Sequence, residues 1–153
     1  QKNIDLVTRH GIFTENEFRA RHAIHLEAYN KIVNIEGRTM VDMAVHQILP
    51  AAMHYCHNIC KGLESKKTLG LSCKAETELA RKLSESCDAL YENVESLKNK
   101  LAGVSGNAQK AAAYYREVVV PAMEAVRAEA DKLETLTDKS YWPYPTYSDL
   151  LYY

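Results

Sequence analysis

A chain of 153 residues with a formal net charge of -1 fits one domain able to bury a core, and it excludes a strongly basic nucleic-acid binder. No apolar run approaches the roughly 20 residues that span a bilayer, and four scattered cysteines are too few for a disulfide-built secreted scaffold. Reduced thiols in a cytoplasmic setting are therefore expected, and a start at QKNID without methionine or signal peptide suggests an excised piece.

Residues 1–13 read as a lead-in anchored by Ile4, Leu6, Val7, Ile12 and Phe13. Thr14 opens the first helix, because T-E-N-E has the form of a capping box, with Phe13 and Phe18 placed as a hydrophobic staple. Phe18, His22, Leu26, Tyr29 and Val33 make its buried stripe, and the helix is expected to end near Asn34, with Ile35–Gly37 as a link. A second helix spans about Arg38 to Lys61, with Ala44, Ile48, Ala51, Tyr55, Ile59 and Leu63 as its face. Pro50 removes a backbone donor in its middle, which predicts a kink. Residues 62–73, bracketed by Gly62 and Gly70, read as the longest internal loop.

The third helix, about Lys74 to Ala102, carries Leu79, Leu83, Cys87, Leu90, Val94, Leu97 and Leu101 at alternating steps of four and three. That is a heptad-like seam, and it makes Leu90 and Leu97 candidate interface positions. Gly103–Gly106 ends the helix and Asn107 caps the last one. There Ala108, Ala112, Tyr115, Val119, Ala122, Val126, Ala130, Leu133 and Leu136 share one face, and Pro121 predicts a second kink. The fold class is all-α: about four long helices in a bundle over 14–136, then an extended aromatic tail, 137–153. In that tail each proline pushes its predecessor out of the helical region, and T-Y-S-D offers one capped turn ending near Leu151. Trp142, Tyr144, Tyr147 and Leu150 are the candidate docking side chains, set to lie along the bundle or against another part of a larger protein.

Catalytic chemistry finds little footing. Cys56, His57 and Cys60 are weak metal candidates, since zinc sites on helices take such spacing but draw ligands from a second element, which Cys73 or Cys87 would have to supply. Thiols packed as small hydrophobes beside exposed histidines are the favoured reading. No Glu-x-x-His, His-Glu-x-x-His, glycine-rich phosphate loop, Gly-x-Ser-x-Gly or Cys-x-x-Cys is present. His22 and His25 flank a buried stripe and read as boundary histidines rather than bases.

A resemblance supplements these readings. REVVVPAMEAVRAEADKLETL followed by YWPYPTYSDLL resembles the C-terminal end of type III glutamine synthetases, the large bacterial form used in nitrogen metabolism. FTENEFRARHAIHLEAYNKIVNIEGRTMVDMAVHQILPAA resembles the region after the catalytic domain in that family. The match covers nearly the whole chain in the expected order, departing at NIEGRTM. It implies a non-catalytic helical domain on a ligase that joins ammonia to glutamate with ATP and Mg. It also implies a dodecameric parent, with the chain's own catalytic domain and sibling subunits as partners. No residue here matches the family's catalytic, ATP or metal motifs, so none is assigned such a role. The alternative is a free-standing helical-bundle interaction module that dimerises through the third helix.

Overall fold

The computed structural model describes residues 2–151, and everything in it that is regular is helical; no strand occurs among the described residues. Helix α1 spans Lys2–Arg9, α2 Glu15–Met43, α3 Leu49–Thr68, α4 Lys74–Ala102, α5 Ala108–Tyr114, α6 Val120–Leu136 and α7 Tyr147–Leu151. A π turn at Ala44–Ile48 joins α2 to α3, and a second at Tyr115–Val119 joins α5 to α6. The chain therefore makes three long rods rather than four separate helices. The first runs from Glu15 to Thr68 with no break in its helical backbone.

Two expectations are corrected by this. No break falls at Ile35–Gly37: Gly37 lies buried inside α2, and a Cβ there would stand 3.0 Å from Leu101 Cδ2. The glycine serves close approach of two helices, which outweighs its helix propensity penalty of about 1 kcal/mol. Nor does the first rod end near Lys61. Gly62 is simply helical, and the stop comes at Gly70, whose φ of 70° suits a residue without Cβ. The Gly70 amide donates to Lys67 O at 3.0 Å and the Leu71 amide to Lys66 O at 3.1 Å, the paired bonds of a Schellman cap. Residues expected as a loop thus belong mostly to helix, and the expected lead-in contains α1.

Both π turns precede a proline by the same interval. The Leu49 amide donates to Ala44 O just before Pro50, and the Val120 amide to Tyr115 O just before Pro121. A proline ring clashes with the carbonyl four residues back; the wider turn relocates the hydrogen bond there and lets the rod continue. ILPAAM and VVPAME thus share a backbone device as well as a sequence echo.

The rods form an up-down-up core. Leu83, Leu90, Val94 and Leu97 of α4 are fully sealed against Ala44 and Ala52 of the first rod and Val119, Val126 and Leu133 of the last. Beside this seam the Asn93 side-chain amide donates to Ala125 O at 3.4 Å, and Asn30 donates to Ala108 O at 2.9 Å, which sets α5 beside the middle of α2. Before Asn30 the first rod continues for about four turns with none of its residues buried, while α1 folds back against it. The Thr14 capping box is made at its start: the Thr14 amide donates to Glu17 Oε2 at 2.9 Å and the Glu17 amide to Thr14 Oγ1 at 3.3 Å. Asn107 likewise accepts from the Lys110 amide at 3.0 Å.

Candidate functional site

The side chains named from the sequence fall into three places. Leu90 and Leu97 are the first: both are 0% exposed, inside the chain's own core. The heptad seam is satisfied within the molecule by the first and last rods, so no surface offered to a second chain includes these two residues.

The aromatic tail is the second place. It turns back along the bundle: the Asn58 amide donates to the Tyr141 hydroxyl at 2.8 Å, and the Tyr141 ring stands 5.1 Å from Tyr55 and 5.5 Å, edge-on, from His54. Trp142 and Tyr144 are half-buried against the core. The turn at Thr146 forms as its sequence suggests, with the Thr146 amide donating to Asp149 Oδ2 at 3.0 Å and the Asp149 amide to Thr146 Oγ1 at 3.4 Å. Lys139 also pairs with Asp149, and these contacts, Lys139 first, hold the Asp149 carboxyl down at about 2. Leu150 is exposed, and the side chain of Tyr147 lies outside what is described.

The third place is a groove of about 430 Å³ between α3 and α4, lined by Met53, Cys56, His57, Cys60, Cys87 and Tyr91 among others. Cys60 is close enough to perturb Cys56. Burial first and then Cys60 push the Cys56 thiol up, and burial lifts Cys87 to about 11. Raised values keep these thiols protonated and poor as nucleophiles. Among the described residues no group of three or more His, Cys, Asp or Glu is placed to hold a metal ion, and Cys56 instead points its sulfur at Ala80 O, 3.7 Å away. These residues as placed do not make a zinc site.

What sequence reading missed is a second apolar face on α2. Leu26 and Val33 turn toward the body, whereas Ile24, Ala28, Ile32 and Ile35 lie on the opposite side, the isoleucines 65%, 55% and 63% exposed. Ile35 opens into a largely apolar groove of about 580 Å³ that continues through Met40, Met43, Met123 and Trp142. Tyr144 closes part of it with a hydroxyl that is sealed from solvent and without a hydrogen-bond partner. The signal is present as steps of four, four and three from Ile24 to Ile35, masked by the second apolar stripe that the same helix carries through Phe18, Leu26 and Val33. Of the expected stripe, His22 and Tyr29 are exposed. No described helix is long and apolar enough to cross a membrane.

With the geometry in view, the comparisons agree with the resemblance. Residues 1–67 match the family described as Glutamine synthetase C-terminal domain. The chain is 33% identical over 99% of its length to a glutamine synthetase of Butyrivibrio fibrisolvens and 32% identical over 92% to one of Bacteroides fragilis (strain YCH46). It is also 28% identical over 99% to a type-3 glutamine synthetase of Dictyostelium discoideum, so the likeness is not confined to bacterial proteins. The chain spans only 22%, 20% and 22% of those three proteins.

Proposed function

We infer, from a chain that belongs with the C-terminal domains of glutamine synthetases, type III included, that it serves a longer cytoplasmic ligase as a non-catalytic packing and assembly domain. In this reading ATP, Mg and the joining of ammonia to glutamate belong to an upstream part of the parent polypeptide. This domain supplies contacts to that part and to sibling subunits of a dodecamer.

The observation that carries the reading is the uneven cover of the molecule. One face of the first rod is sealed into a sound core, while Ile24, Ile32 and Ile35 stand open along its other side together with a methionine-lined groove. Large exposed apolar patches mark interaction sites in proteins of this size. A chemical role inside the fragment has no comparable support among the described residues, where no group of three or more His, Cys, Asp or Glu is placed to hold a metal and Cys56 and Cys87 are raised by burial.

The test is deletion in the parent polypeptide. The parent chain lacking these residues is expected to lose its high-mass assembly in native mass spectrometry, and glutamine formation with it. An unchanged assembly with unchanged activity would end the reading. The free-standing interaction module predicts instead a native product of 17.3 kDa, the mass of this chain. Dimerisation of such a module through the third helix loses its basis once Leu90 and Leu97 are buried.

A further inference from the structure

Cysteine is among the most buried side chains in folded proteins, so an exposed free thiol calls for a reason. Cys60 is such a residue. It lies exposed on α3, one helical turn after the half-buried Cys56, and both are free thiols. The run MHYCHNIC sets Met53, Cys56, His57 and Cys60 along one wall of the 430 Å³ groove, which places a thioether, two thiols and an imidazole side by side. These are soft or borderline donors, whereas the hard donors of the groove, Ser84 and Asp88, stand on α4, the other wall.

The spacing of the two thiols selects the chemistry. Residues four apart on a helix hold their Cβ atoms roughly 5–6 Å apart. A disulfide needs about 3.5–4.5 Å, so a Cys56–Cys60 bridge would require α3 to unwind where its helix is regular. A cation held in line between two thiolates spans more. Two bonds close to the ~2.3 Å of zinc to sulfur set the sulfurs about 4.6 Å apart. That suits the pair without a change of backbone, and the Cys60 side chain is already within hydrogen-bond reach of the Cys56 thiol. Cys56 gives up only a weak thiol contact to Ala80 O, 3.7 Å long, when its proton leaves.

Coordination number then narrows the metal. Among the described residues no three His, Cys, Asp or Glu are grouped to hold an ion, so the pair offers two ligands. Zinc takes four and the hard divalent cations six or more, whereas a soft monovalent d10 ion is satisfied by two thiolates in line. We propose that Cys56 and Cys60 form a two-coordinate site on α3 for such an ion, copper(I) being the physiological member of the class. Binding joins one Cu⁺ to two thiols and gives a bis-thiolate anion and two protons; no electron is exchanged.

Anaerobic titration of the reduced 153-residue chain with the copper(I)–bicinchoninate complex tests it. One copper per chain is expected to leave the coloured complex, with two protons released and two sulfur neighbours in X-ray absorption. Cys60→Ser and Cys56→Ala are each expected to weaken uptake by more than the about 100-fold that losing a group behind a metal ligand costs. Helical circular dichroism should stay unchanged for Cys60→Ser, since that side chain is exposed. Cys87→Ala is expected to leave the stoichiometry as it is, and excess Zn(II) to leave the copper in place. No uptake by the reduced wild-type chain would overturn the proposal. So would uptake that survives Cys60→Ser or Cys56→Ala, which would mark binding to single thiols, a third sulfur neighbour lost in Cys87→Ala, or displacement by zinc. The site is read out on this chain alone and stands or falls apart from the ligase reading.

Discussion

Helices α2 and α4 are each 29 residues long, yet α4 buries six residues and α2 only Val33 and Gly37. Helix α4 lies between two rods and is sealed along most of its length, whereas α2 runs past the end of the bundle and keeps its far side open. The two match in length, although α2 opens on the Thr14 capping box and α4 on Cys73 without a side-chain cap; what differs is how much of each helix its neighbours cover. The lesson is that the body of the molecule is self-sufficient while the leading half of the first rod is built as surface.

The strongest way to break this contrast is to cut into each helix in turn. Leu90→Ala should lower the unfolding free energy by about 2–5 kcal/mol, since the side chain is fully enclosed and leaves a cavity. Ile24→Ser should change it by less than about 0.5 kcal/mol at concentrations low enough to keep chains apart. Urea titration of both decides the matter, and comparable losses would mean that α2 is covered after all.

Two glycines of the first rod sharpen the same point at closer range. Gly37→Val should cost about 1–3 kcal/mol, because branched atoms would press on Leu101 where even a Cβ stands at 3.0 Å. Gly62 has open space around it, so Gly62→Ala should stabilise by about 0.4–1 kcal/mol. Thermal unfolding should move in opposite directions for the two, and parallel shifts would contradict the packing. Gly70, by contrast, holds a left-handed turn, and Gly70→Ala should cost about 1–2 kcal/mol through strain at the α3 cap.

The smallest expected effect lies in the tail. Asp149 has a folded pKa of about 2, below its unfolded value near 3.8. A depressed carboxyl favours the docked turn above the unfolded value and loses that contribution as pH falls through the folded one. Trp142 fluorescence is thus expected to report loosening of the tail between about pH 4 and 2, and Asp149→Asn to remove that pH step. A step that survives the substitution would assign it to another group.

Much of the fold could be read from residue order alone. The α4 seam, the face from Ala108 to Leu136, and the caps at Thr14, Asn107 and Thr146 depend on local spacing and on single side-chain to backbone bonds, so they appear in the sequence as patterns. The family is legible for the same reason, being a matter of ordered similarity. Gly37, Gly62 and Pro50 were not legible, because each has two meanings. A glycine marks a break or a close approach, and a proline in a helix does not announce the π turn that precedes it, so the outcome rests on what packs nearby. The seam through Leu90 and Leu97 posed the same ambiguity, since a heptad pattern is identical whether its partner is a rod of the same chain or of another. Only the tertiary structure decided that this face is spent inside the bundle and that Ile24, Ile32 and Ile35 are left outside it. The periodicity of one helix states which residues share a side, and the count of neighbours that cover that side is a property of the whole chain.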